Sequence, residues 1–121
     1  MSERDRQAKH RASKRPSATG RLSEKTVEMV AATLRVLADP TRIRLIEVLN
    51  ERGSDTVSAL TVCVRSSQQN VSKQLSVLHQ AGIVSRRREG VWVRYQLADW
   101  TGVWLIEQLA AALGADSDEP R

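Results

Sequence analysis

Gln68, Gln69, Asn70, Ser72 and Lys73 crowd into one short stretch, and no acidic residue interrupts them. Arg86, Arg87, Arg88 and Arg94 follow, with Glu89 the one acid among them. Primary amides donate and accept from neighbouring atoms, so Gln and Asn can pair bidentately with adenine, while Lys and Arg reach guanine. Arginines beside such a segment can hold phosphates or enter a minor groove, fixing register without reading much sequence. Bond-making chemistry is poorly supplied. The 121 residues include one cysteine, Cys63, and two histidines, His10 and His79, which furnish no nucleophile, base and orienting group together. No glycine-rich phosphate loop occurs either. The inventory points to recognition of a polyanion and away from an enzyme.

The distribution of charge agrees. The formal net charge is +5. Residues 1–21 hold seven basic residues (Arg4, Arg6, Lys9, Arg11, Lys14, Arg15 and Arg21) against Glu3 and Asp5. Residues 65–94 hold six (Arg65, Lys73, Arg86, Arg87, Arg88 and Arg94) against Glu89. Two basic clusters on an otherwise balanced chain suit a phosphate backbone, whose condensed counterions are released when Lys and Arg neutralise it. A solvated surface is the plain alternative.

The elements that must position these groups follow from periodicity. Length sets a single small core, and 40% apolar residues with 27% charged is a globular composition. With no Phe, one Tyr and three Trp, that core is expected from Leu, Val, Ile and Ala. No apolar run approaches the roughly 18 residues of a membrane span, and the single Cys cannot form an intrachain disulfide. A cytoplasmic setting is expected. Residues 1–22 are polar and read as a disordered basic arm. They are Arg-rich and acid-poor like a transit peptide but lack its amphipathic repeats. Residues 23–113 form the expected domain, and 114–121 an acidic tail.

Within that domain a first helix starts behind the N-cap Ser23, with Val27, Val30, Ala31, Leu34 and Leu37 at helical spacing. Asp39-Pro40 pairs an N-cap with proline at the first helical position, opening a second helix that runs to about Arg52 before Gly53. A short third helix fits 58–64, with Leu60 and Cys63 on one face. A fourth begins behind Ser67 and ends at Gly82. Its Val71, Leu75 and Leu78 make a narrow apolar seam, opposite Gln69, Asn70, Lys73 and Ser76, with Gln68 and Ser72 at the edges. From Ile83 the period changes to two, and Glu89-Gly90 divides residues 83–97 into a hairpin. A fifth helix from about Asp99 carries Trp100, Val103, Trp104, Ile106, Leu109 and Leu113, more apolar surface than one small domain covers. Such a patch marks an interface, so Val27 and Leu34 with Trp100, Val103, Trp104 and Leu109 are expected to meet a second copy.

Two short helices joined by a tight turn, then a basic hairpin, describe a winged helix-turn-helix of five helices and a two-stranded wing. The run Leu37-Ala38-Asp39-Pro40-Thr41-Arg42-Ile43-Arg44 resembles the ArsR/SmtB family of winged-helix repressors. So do Ser67-Gln68-Gln69-Asn70-Val71-Ser72-Lys73-Gln74-Leu75, Arg87-Arg88-Glu89-Gly90 and Tyr95-Gln96-Leu97. The resemblance covers about residues 27–113. It implies a homodimer through the first and fifth helices that represses transcription until an inducer, often a metal ion, releases the DNA. With the apolar fifth helix beside a single reading helix, an inverted repeat in double-stranded DNA is the expected operator.

The inducer is where the chain departs from the pattern. The family's Cys-x-Cys falls on Thr56-Val57-Ser58, and its second site, Asp-x-His with His-x-x-Glu, falls on Asp99, Thr101, Ala112 and Ala115. Only Asp99 remains. Soft and borderline metals require several thiolate or imidazole ligands, so no metal site and no cofactor is expected; Cys63 and His79 are the weak candidates that remain. Cys63 falls at a usually small buried position and reads first as core packing, second as a redox sensor. His79 near a helix C-terminus reads first as a dipole partner. Trp100 and Trp104 read first as dimer packing, second as a pocket for an apolar small-molecule inducer. The rival functions are a protein-interaction or RNA-binding module, which the aromatic-poor basic face disfavours for single strands, and a repressor responsive to redox or metal through Cys63.

Overall fold

The computed structural model describes residues 20–114, so most of the basic arm, His10 and the acidic tail from Ala115 lie outside the described residues. The elements run α1 (Glu24–Leu37), α2 (Pro40–Arg52), β1 (Ser54–Thr56), α3 (Val57–Val64), α4 (Gln68–Gln80), β2 (Val84–Glu89), β3 (Trp92–Leu97) and α5 (Thr101–Ala112). Leu22–Val103 make one compact unit, and α5 from Trp104 onward belongs to a second.

Local chemistry places the helix starts. Ser23 Oγ accepts from the Thr26 amide at 3.1 Å, Asp39 Oδ2 from Arg42 at 3.0 Å and Ser67 Oγ from Asn70 at 3.0 Å. Each satisfies one of the amides that a helix leaves unpaired at its first turn. At the other end of α2, Gly53 takes φ +85°, a left-handed value that glycine adopts without a Cβ clash, and its amide returns to Leu49 O. Asp99 Oδ1 accepts from Thr101 N at 2.9 Å, so α5 begins at Thr101, two residues later than its periodicity suggests.

The core is aliphatic, as the composition requires. Leu45, Ile46 and Leu49 of α2, Leu60 of α3 and Val71, Leu75 and Leu78 of α4 are sealed, joined by Leu37, Val84 and Tyr95. The first turn of α5 is seated closely, because the buried Gly102 leaves only van der Waals room beside Ile83 and Ile46.

Two expectations need correction. The sheet has three antiparallel strands in the order β1-β3-β2, where the sequence suggested a two-stranded hairpin. Ser54–Thr56 pairs with Gln96, Tyr95 and Arg94, and Thr56 then caps α3, which starts at Val57. A three-residue strand carries too short a pattern to register as alternation, and its partner lies 40 residues downstream.

Cys63 is the second correction. It is exposed, not core. Leu60 alone of α3 is buried, and a residue three positions on is turned about 60° from it around the helix. With α3 ending at Val64, that rotation puts the thiol on the flank. Arg52 Nη1 there donates to Sγ at 3.7 Å.

Candidate nucleic-acid interface

α4 is amphipathic in the sense a reading helix requires. Its apolar seam is buried, and Gln68, Gln69, Ser72, Lys73, Ser76 and Gln80 are exposed. No acidic residue lies between Arg65 and Arg88, so α4 itself carries no charge that repels phosphate. Gln68, Gln69, Ser72 and Lys73 are therefore free to pair outward. Asn70 differs. It is half-buried, its Nδ2 donates to Ser66 Oγ at 2.8 Å, and its Oδ1 accepts from Gln74 Nε2 at 3.2 Å. Gln74 Oε1 in turn accepts from Arg42 Nη1 at 2.6 Å. Sequence reasoning assigned Asn70 to the outward face and gave Gln74 no part. The spacing of four between them was the available signal.

The wing divides its arginines in a similar way. Register puts Arg86 opposite the buried Tyr95 and Arg88 opposite Val93, and Arg87 opposite Arg94 on the other face. Arg86, Arg87 and Arg88 are exposed, although Arg87 lies 3.3 Å from Glu89, whose charge offsets part of its own. Arg94 is half-buried and turns toward β1, donating to Ser54 Oγ at 3.2 Å and to Ser54 O at 3.0 Å. The hairpin tip exposes Val91 at 86% and Trp92 at 59%. The sequence reading gave neither a role. Trp92 at the end of a strand beside a Gly turn was the signal.

The remaining candidates can be placed one by one. His79 is half-buried in the last turn of α4. Thr56 Oγ1 accepts from Ala59 N at 3.3 Å, and Asp99 from Thr101, so both are occupied in capping. Among the described residues, no three His, Cys, Asp or Glu side chains converge as a metal site. Buried Asp55 pairs with Arg52 Nε and accepts from Thr56 N at 2.8 Å. The hydrogen bond and charge of Asp55 hold the Arg52 guanidinium above its ordinary pKa. Val27 and Leu34 of α1, Trp100 just before α5, and Trp104 and Leu109 of α5 are exposed, Trp100 at 72%; Val103 is half-buried.

A helix-turn-helix whose second helix carries an acid-free polar face, followed by a basic antiparallel hairpin, defines a winged helix-turn-helix protein. Comparison with known proteins narrows the class. A family profile described as a helix-turn-helix domain matches residues 37–87. The arsenical resistance operon repressor of Escherichia coli K12 is 33% identical over 85 residues, covering 70% of this chain and 73% of that protein. The biofilm growth-associated repressor of Agrobacterium fabrum is 38% identical over 95 residues, covering 78% and 80%. The crystal structure of the transcriptional repressor BigR from Xylella fastidiosa superposes with a TM-score of 0.68 at 32% identity, covering 77% of this chain and 94% of that one. The chain belongs to the ArsR/SmtB family of winged helix-turn-helix transcriptional regulators. The family consists of regulators, not enzymes, and no described helix is long and apolar enough to cross a membrane.

Proposed function

We propose that this protein is a cytoplasmic, sequence-specific repressor that binds double-stranded DNA as a homodimer, on an imperfect inverted repeat controlling its own or a neighbouring operon. The observation that carries the reading is α4: a sealed apolar seam on one side, and Gln68, Gln69, Ser72 and Lys73 exposed on the other with no acid among them. Gln69 and Lys73 supply the base-pair reading, and Arg86, Arg87 and Arg88 hold the backbone. Exposed apolar side chains at i, i+3 and i+7 on α1 (Val27, Val30 and Leu34) support a dimer. Those on α5, with Trp100 and Trp104, support it independently. Repression is supported by what the E. coli and A. fabrum relatives are named for. In this reading no metal acts as inducer, since Thr56 and Ser58 carry hydroxyls where thiolates would be needed.

A nuclease footprint on the DNA upstream of the coding region tests the whole. The expected result is a protected inverted repeat whose half-sites lie about one helical turn, roughly 34 Å, apart. Equal affinity for duplex and single-stranded probes of any sequence would support a general nucleic-acid or protein-interaction module instead. A second reading, a thiol-responsive repressor, draws on the exposure of Cys63 beside Arg52. Repeating the footprint with peroxide, and with Cys63→Ser, separates the two.

A further inference from the structure

Arg42 stands at the third position of α2, and its guanidinium fork faces two elements at once. Nε donates to Val36 O at 2.6 Å and Nη2 to Arg35 O at 3.4 Å, both carbonyls of the last turn of α1. Nη1 donates to Gln74 Oε1 on α4. From there the chain continues from Gln74 to Asn70 to Ser66, in the turn that leads into α4. We propose that Arg42 is the positioning residue of the reading helix: through Gln74 and Asn70 it fixes the rotation of α4 against the end of α1, and base discrimination depends on that rotation. The proposal rests on the reading of α4 as the DNA-reading helix.

Three physical arguments support it. The seam of Val71, Leu75 and Leu78 holds α4 to the core by apolar contact, which is non-directional and tolerates a small rotation of the helix. The hydrogen bonds of the relay are directional and do not tolerate it. Secondly, an arginine can only donate, so Gln74 must turn its oxygen to Arg42 and its nitrogen to Asn70. Asn70 must then accept with Oδ1 and donate with Nδ2 to Ser66. One donor-only residue thus sets the polarity of every amide in the chain. Thirdly, the cation sits at the end of α1, where the helix dipole is negative, so its charge is compensated by backbone carbonyls without an ion-paired carboxylate among the described residues. A lysine keeps the charge but lacks the planar fork that spans both helices.

The test uses the full chain. A duplex selected from a random library by wild-type protein serves as operator, and a scrambled duplex of equal composition as control. The two dissociation constants are measured at one salt concentration for wild type, Arg42→Lys, Arg42→Met, Gln74→Met and the Arg42→Met/Gln74→Met pair, alongside thermal unfolding. The expected result is that each variant lowers the scrambled-to-operator ratio by about tenfold, the scale of one lost base pairing, with affinity for scrambled DNA unchanged. The double variant should lose no more than Arg42→Met alone. Ratios equal to wild type would overturn the proposal, as would a loss in Gln74→Met that Arg42→Lys and Arg42→Met do not share, which would make Gln74 a direct base contact. Should Arg42→Met fail to fold, Gln74→Met leaves the bonds to α1 in place and Arg42→Lys decides. Failure of the wild type to select any sequence would overturn the DNA reading itself, an outcome distinct from selection that survives the variants.

Discussion

Cys63 Sγ lies 3.7 Å from Arg52 Nη1, on the exposed flank of α3, while Leu60 one turn earlier is sealed in the core. The thiol is therefore open to reagents in the folded state. One equivalent of an aromatic disulfide reagent should label native protein about as fast as it labels the unfolded chain. Cys63→Ser should abolish labelling and change stability by less than about 0.5 kcal/mol, as surface substitutions do. Labelling only after denaturation would place the thiol inside.

The polar residues of α4 should separate into two groups. Gln69→Ala and Lys73→Ala are expected to weaken operator binding by about 1–3 kcal/mol each, with the oligomeric state and melting temperature unchanged. Asn70→Ala should lower stability by about 1 kcal/mol, since Ser66 and Gln74 lose a partner. By breaking the relay from Arg42 it should also lower discrimination between operator and scrambled DNA, while leaving affinity for scrambled DNA unchanged. Calorimetry and anisotropy on the same three variants check the division.

On the wing, each arginine has its own expected outcome. Arg88→Ala should reduce affinity for all duplexes alike and reduce the salt slope by about 1. Arg87→Ala should do less, because Glu89 already offsets part of that charge. Arg94→Ala should leave the salt slope alone and destabilise the sheet, since its guanidinium is committed to Ser54. Titrations at several salt concentrations distinguish all three.

Deleting residues 1–21 removes seven basic and two acidic side chains. The fold should persist and DNA affinity fall, with a slope of log K against log salt shallower by up to about 4. An unchanged slope would make the arm a passive tail.

Zinc, cadmium or arsenite should not release the protein from DNA. Thr56 and Asp99 are engaged in caps, and Thr101 and Ala112 supply no imidazole. A tenfold drop in DNA affinity at stoichiometric metal would reveal a site, with Cys63 and His79 the first residues to change.

Much of the fold was legible because its signals are local. Ser23, Asp39-Pro40 and Ser67 cap helices by reaching three residues ahead, and the seam of Val71, Leu75 and Leu78 repeats within one element. What escaped depends on partners far along the chain. β1 exists because Ser54–Thr56 meets Arg94–Gln96. Asn70 and Gln69 are neighbours of the same chemistry, and what divides them is Gln74, oriented by an arginine 32 positions away. The exposure of Cys63 has another cause: family resemblance and a spacing of three from Leu60 both suggest packing, but Cys63 is turned about 60° from Leu60 on a helix that ends at Val64.

The central position of β3 gives the wing the mechanics of a cantilever. Near its root β3 is bonded on both sides, to β1 and β2, and clamped by Arg94 to Ser54, whereas its outer end at Trp92 and Val93 has β2 alone. Bending is thereby confined to the last few residues around Gly90. In the proposed DNA complex this leaves the tip free to follow groove width without transmitting torque to the helices, and β1, joining α2 to α3, makes the mounting of that lever the same piece of chain that holds the helix-turn-helix.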